Sequence, residues 1–228
     1  MNTFKNYLIC FLKGLLAGLS IGLGGFLYVL MTFVFKDESI AELGKIFGSL
    51  LFAVGLFLVC TFYLNLYTGK IGLIYEEKKD KSFYISLPVM LIANLLGAFL
   101  LGLVCYLIFK DTELFTYALK AGEARLHFAG VNDYLSTCVK SFLCGLCVYL
   151  AVKSFAFNRL KPAGILLLVL FVFIFVYCGF QHCIANMFYF GFANTIRIET
   201  LINLLLVILF NSLGPIPGVV LLKLIKAK

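Results

Sequence analysis

The sequence reads as an all-α membrane protein: six transmembrane helices in an inverted three-plus-three repeat, with the second and fifth helices broken. Three observations carry that reading. Of the 228 residues, 63% are hydrophobic and 13% charged, about half the charge of a soluble domain. Uncharged runs recur at the length a bilayer core of roughly 30 Å demands, about 20 residues per helix. Two of those runs are interrupted by polar residues and glycine at membrane depth, in equivalent places of the two halves.

Residues 14–35, 46–69, 82–109, 162–196 and 200–222 contain no Asp, Glu, Lys or Arg. A sixth apolar stretch, 134–157, carries Lys140 and Lys153 where their side chains can snorkel to the two surfaces. Helices are therefore expected at about 8–35, 44–69, 83–109, 134–157, 162–195 and 200–223, within one transmembrane domain spanning 1–228. The first run is too long for a signal-peptide core and lacks a small-residue cleavage site, so it is expected to stay as a helix. The longest connection, 110–133, has room for a surface helix or a re-entrant arm.

The two interrupted runs depart from simple helices. A single helix over 162–196 would be roughly 50 Å long, well beyond the bilayer core. Its centre turns polar at Gly179-Phe180-Gln181-His182-Cys183-Ile184-Ala185-Asn186 and then aromatic at Met187-Phe188-Tyr189-Phe190. The second run shows the same habit at Asn65-Leu66-Tyr67-Thr68-Gly69-Lys70-Ile71-Gly72. Irregular backbone at that depth is tolerated only where protein buries it or a wet cavity receives its polar groups. Gly14, Gly18, Gly22 and Gly25 on the first span, and Gly97 and Gly102 on the third, are read as surfaces for close helix packing.

Orientation follows from Lys and Arg in the flanks. The side holding both termini collects Lys5, Lys13, Lys78, Lys79, Lys81, Lys153, Arg159, Lys161, Lys223, Lys226 and Lys228. The opposite side has Lys36, Lys45, Lys110, Lys120, Arg125, Lys140 and Arg197. Both termini are thus expected in the cytoplasm of a multi-pass protein of the cell inner (plasma) membrane. The net charge of +8 is mostly this topological signal, and no nucleic-acid partner is expected. Most of the eight cysteines fall inside apolar spans, where they act as small hydrophobes. Cys144-Gly-Leu-Cys147 has no second ligand pair, so no metal and no cofactor are expected.

Gly-Phe-Gln-His-Cys-Ile-Ala-Asn-Met-Phe at 179–188 closely resembles the signature of formate/nitrite transporters, usually Gly-Phe-Glu-His-Ser-Ile/Val-Ala-Asn-Met. Leu66-Tyr67-Thr68-Gly69 is similar to that family's Leu-Phe-Thr-Gly loop, and Ala93-Asn94-Leu95-Leu96-Gly97-Ala98 to its third-helix motif. Gly14-Leu15-Leu16-Ala17-Gly18 with Gly24-Gly25 resembles the opening of its first helix. The resemblance implies an aquaporin-like fold, a homopentamer in the lipid bilayer with one pore per protomer, and passage of small monovalent anions such as formate, nitrite or hydrosulfide, in several cases with protons. Formate is the favoured substrate. By motif position, His182 and Thr68 would face each other between two apolar constrictions. Phe52, Leu56 and Phe175 are constriction candidates, with Leu66 and Tyr67 beside the loop. The chain departs from the pattern where Gln181 replaces the family Glu and Gly145 a fourth-helix Asn, and where Ala129 falls in place of an outer lysine. Arg125 or Lys140 is the expected vestibule cation in its stead, and Gln181 is expected to point into the bundle toward backbone donors.

The chemistry favours a histidine at such a place. Desolvating a monovalent anion costs of order 20 kcal/mol by Born solvation, so it must be neutralised or met by donors. The candidate anions are conjugate bases of weak acids, and histidine titrates near neutrality when unperturbed. Thr68 and the Asn186 amide add hydrogen-bonding groups. A neutral-solute pore of the aquaporin type lacks its expected paired Asn-Pro-Ala loops here, and no nucleophile-base pair or nucleotide loop suggests an enzyme.

Overall fold

A computed structural model describes residues 3–157 and 161–226. Arg159 and Lys228, which count toward the orientation, lie outside the described residues, as does the side chain of Lys226. The described residues form α1 (Thr3–Val34), α2 (Ala41–Thr61), α3 (Tyr67–Lys70), α4 (Leu73–Glu76), α5 (Lys81–Phe109), α6 (Glu113–Glu123), α7 (Val131–Phe157), α8 (Lys161–Tyr177), α9 (Cys183–Ala193), α10 (Ile198–Leu213) and α11 (Pro215–Lys226). Among the described residues, five segments are long and apolar enough to cross a bilayer: α1, α2, α5, α7, and α10 continued by α11. The last pair is joined through Gly214, whose N–H still bonds the Phe210 carbonyl at 3.0 Å. Helices α8 and α9 are shorter and also apolar.

The two interruptions end their helices in the same way. After α2, Tyr63 adopts a left-handed φ of 51°, and the Leu64 N–H reaches back to the Val59 carbonyl at 2.9 Å. After α8, Gly179 adopts φ 67° and the Phe180 N–H reaches the Phe175 carbonyl at 2.8 Å. Both are Schellman-type ends, in which one left-handed residue lets the chain satisfy a terminal carbonyl. The chain then runs extended through Leu66 (φ −91°, ψ 121°) and through His182 (φ −111°, ψ 119°) before α3 and α9 begin.

A buried asparagine clamps each restart. The Asn94 side chain on α5 accepts from the Tyr67 N–H at 2.8 Å and donates to the Asn65 and Gly14 carbonyls, each at 2.8 Å. Asn211 on α10 accepts from the Cys183 N–H at 2.9 Å and donates to the Gln181 and Ser141 carbonyls at 2.8 and 2.7 Å. Each amide thus satisfies one N–H and one carbonyl that the break leaves free, and ties them to a carbonyl inside a neighbouring helix, α1 for Asn94 and α7 for Asn211. Close approach makes both clamps possible: a Cβ at Gly18 would overlap the Asn94 carbonyl oxygen, and one at Gly145 the Asn211 carbonyl oxygen. Gly145, where the fourth span departs from the family motif, is therefore a packing requirement of the α7–α10 crossing.

Helix α6 lies in the long connection. Leu114, Ala118 and Gly122, spaced one turn apart, are its buried face and pack toward α9. Lys36–Glu113 (2.5 Å) and Arg197–Glu123 (2.6 Å) tie its two ends to neighbouring loops.

Candidate functional site

The extended residues between α8 and α9 bring His182 to the centre of the protein, 3% exposed, opposite Thr68 of α3, which is fully buried. His182 Nε2 and Thr68 Oγ1 are 2.8 Å apart. The other ring nitrogen is committed to the backbone, since Nδ1 accepts the Ala185 N–H at 3.2 Å and so caps α9. An accepting Nδ1 carries no proton, so the neutral ring is the Nε2–H tautomer and donates to Thr68.

Phe175 lies beside the His182 ring with centroids 6.1 Å apart, and Phe52 meets Phe175 edge-on at 5.7 Å. Phe52, Leu56, Leu66 and Phe175 are all buried in one apolar cluster. Tyr67 points elsewhere. Its ring packs with Cys10, Ile71, Leu87 and Met90, and its hydroxyl lies 2.9 Å from Ser212 Oγ.

Two cavities flank this centre. The larger, about 460 Å³, ends on Phe52, Phe175 and Gln181 and is lined by Lys45, Lys120, Arg125 and Lys140. The smaller, about 300 Å³, ends on Leu66 and Gly69 and is lined by Lys70 and Lys161. Neither has an Asp or Glu in its lining among the described residues. Such mouths, positive and walled by apolar groups, concentrate small anions and repel cations.

Arg125 is held at the larger cavity by an arrangement that extends to the centre. Its guanidinium lies 3.9 Å above the Tyr189 ring, Nε donates to Asn186 Oδ1 at 2.9 Å, and Nη1 donates to the Ala121 carbonyl. Asn186 donates to Gln181 Oε1 at 3.0 Å and to Asn203 Oδ1 at 2.9 Å. Asn203 in turn donates to Gln181 Oε1 at 2.7 Å and to the Arg125 carbonyl at 2.8 Å. Asn186 is thus engaged with Arg125 and two amides, and its own N–H bonds the His182 carbonyl at 2.8 Å. Gln181, expected to point into the bundle toward backbone donors, is buried in the bundle but bonds side chains instead, those of Asn186, Asn203 and Thr137, and borders the cavity. The Asn186 and Asn203 amides, from α9 and α10, fill its oxygen. Lys140 is exposed at the same cavity.

Sequence reasoning does not single out Lys70, Lys161, Asn94, Asn203 or Asn211 as functional. Lys70 carries a usable signal, since a lysine inside an interrupted span is costly unless it faces a cavity or a partner. Its Nζ donates to Asn65 Oδ1 at 2.6 Å and it lines the smaller cavity.

Stacked apolar helices, two interrupted ones and a buried polar pair between opposed basic cavities define a polytopic membrane protein of the channel and transporter class. Residues 3–226 match the formate/nitrite transporter family, and the chain belongs to it. The formate channel FocB of Escherichia coli (strain K12) is 24% identical over 195 residues, covering 82% of this chain and 67% of that protein. A pentameric formate channel solved with formate bound superposes with a TM-score of 0.83 at 24% identity, over 98% of this chain and 99% of that one. An ion channel of the same family superposes at 0.73 and 21% identity, over 93% and 87% of the respective chains. The fold is therefore that of these channels.

Proposed function

We propose that the chain is a channel for small monovalent anions, with formate as the favoured substrate and nitrite and hydrosulfide as close competitors. The carrying observation is the His182–Thr68 pair, sealed between two cavities with basic and no acidic lining residues among those described. An anion enters at Arg125 and Lys140, or at Lys70 from the opposite end. It passes the ring of Phe52, Leu56 and Phe175 on one side of His182, or that of Leu66 on the other. Tyr67 positions the Leu66–Thr68 segment through Ser212, and Asn186 holds the His182 backbone.

Passage is coupled to protonation at His182. The ring takes up a proton at Nδ1, releasing the Ala185 N–H, and the Nε2 proton passes to the carboxylate oxygen. The permeant species is then neutral formic acid, which avoids the desolvation cost of the ion at the apolar ring beyond His182. Loss of the Nδ1 proton and reprotonation of Nε2 restore the capped tautomer.

The matching Schellman ends and asparagine clamps support a repeat of two inverted halves. Counting α8 and α9 as one interrupted passage gives six passages. Five copies assemble, each with its own pore. The Lys and Arg distribution supports an inner-membrane protein with both termini in the cytoplasm.

Uptake into proteoliposomes of formate, nitrite, hydrosulfide and glycerol, at pH 5.5 and 7.5, tests the reading. Formate should enter at both pH values and faster at the lower. Glycerol entry with no anion uptake would replace this reading with that of a neutral-solute pore.

A further inference from the structure

The amide network at the larger cavity has a direction, set by a group that can only donate. Arg125 Nε occupies Asn186 Oδ1, so the Asn186 amide nitrogen must donate to Gln181 Oε1. Asn203 donates to the same oxygen. With its oxygen filled from two sides, Gln181 has only its amide nitrogen left to offer the cavity it lines: one N–H faces the buried Thr137 Oγ1 at 3.3 Å, and the other has no partner among the described residues. Arg125 Nη2 likewise has no partner among the described residues, while its other nitrogens are engaged. Both residues line the same cavity end as Phe52 and Phe175.

The other cations there are less committed to that end. Lys45 pairs with Glu42 at 2.9 Å, Lys120 lies over the Tyr117 ring at 5.1 Å, and Lys140 is exposed. We propose that Gln181 and Arg125 form a binding site for one small monovalent anion at the cavity floor, and that Gln181 sets its affinity. The proposal rests on the channel reading above. A glutamate at position 181 would accept the same Asn186 and Asn203 hydrogen bonds, offset the Arg125 charge and present oxygens to the anion. The amide presents N–H donors and leaves the guanidinium charge unopposed.

The test is formate binding to the purified full-length protein, followed by 13C-formate NMR titration, alongside formate uptake in proteoliposomes. Wild type should bind, and Gln181→Glu should bind about tenfold more weakly at pH 7.5, as a like charge within hydrogen-bond range of the anion requires. The introduced carboxyl, facing Arg125, Lys45, Lys120 and Lys140 with His182 beneath and accepting from Asn186 and Asn203, is held ionised by those groups, so its deficit should persist at pH 5. Gln181→Met removes the donors without adding charge, so its deficit should be smaller, about threefold, and equal at both pH values. Equal affinity of wild type and Gln181→Glu at both pH values would overturn the site. If Gln181→Glu does not fold, absence of binding by wild type, or unchanged binding by Gln181→Met, does so. Binding by wild type without formate uptake would sink the channel reading and leave the site standing; uptake with the same KM in both proteins would do the reverse.

Discussion

His182 is held through both ring nitrogens, and the two bonds differ in kind. Nδ1 completes the N-terminus of α9, and Nε2 addresses Thr68. Replacing Thr68 by Val removes a partner worth about 1 kcal/mol and leaves the ring N–H unpaired. Formate flux in proteoliposomes should fall several-fold in Thr68→Val while assembly is kept; undiminished flux would show that Thr68 is a spectator. Arg125 and Lys140 separate by their surroundings, since Arg125 is fixed over Tyr189 and beside Asn186 while Lys140 is exposed. Arg125→Gln should therefore lower uptake more than Lys140→Gln, and both deficits should shrink between about 10 and 200 mM salt, across which screening shortens from roughly 30 Å to below 10 Å. Equal uptake by both variants and wild type at low salt would remove them from the pathway. The family resemblance implies His182 opposite Thr68, and in the sequence polar residues announce the span interruption that each one sits in. The orientation of Tyr67 and the side-chain partners of Gln181 are not legible there, because rotamer and amide direction depend on Ser212, Asn186 and Asn203 arriving from other helices.

Helix ends carry the architecture. Gly179 has φ 67°, and a Cβ there would meet nothing within 4 Å, so its replacement isolates the conformational term. Gly179→Ala should cost about 1–2 kcal/mol, the penalty for a left-handed L-residue, and lower the thermal midpoint in detergent. An unchanged midpoint would mean that the α8 end is not held as described. The asparagine clamps predict a larger effect, because Asn94→Ala or Asn211→Ala leaves two backbone groups of a break without their side-chain partner, each worth about 1–3 kcal/mol. Both variants should be strongly destabilised by similar amounts; a mild effect in one alone would argue against equivalent halves. The interruptions can be read in sequence from Asn65, Thr68, Gly69 and from Gly179, Gln181, His182. The end of α2 cannot be placed to the residue, since its left-handed position is Tyr63, where no glycine marks the turn. Asn94 is visible as a motif member and Asn211 as part of the sixth span, but their acceptors lie on other spans, out of reach of local pattern.

The exterior of the bundle is apolar along its long helices, with Leu8, Leu12 and Leu16 on α1 and Ile92, Leu96 and Leu100 on α5 exposed. That surface suits lipid or neighbouring copies in a bilayer. Five copies, each with its own route, should give a single pentameric species by native mass measurement in detergent, and a stable monomer or trimer would contradict that assembly. The all-helical class and the presence of several membrane-length apolar helices are legible from run length alone. The two basic cavities are not, because Lys45, Arg125 and Lys140 come from separate segments, as do Lys70 and Lys161. The most direct test of the route is formate flux through His182→Phe reconstituted in proteoliposomes at pH 5.5 and 7.5, after its assembly has been matched to wild type. Loss of most flux, or of its pH dependence, is the predicted result. Full flux with the wild-type pH dependence would contradict a route through His182.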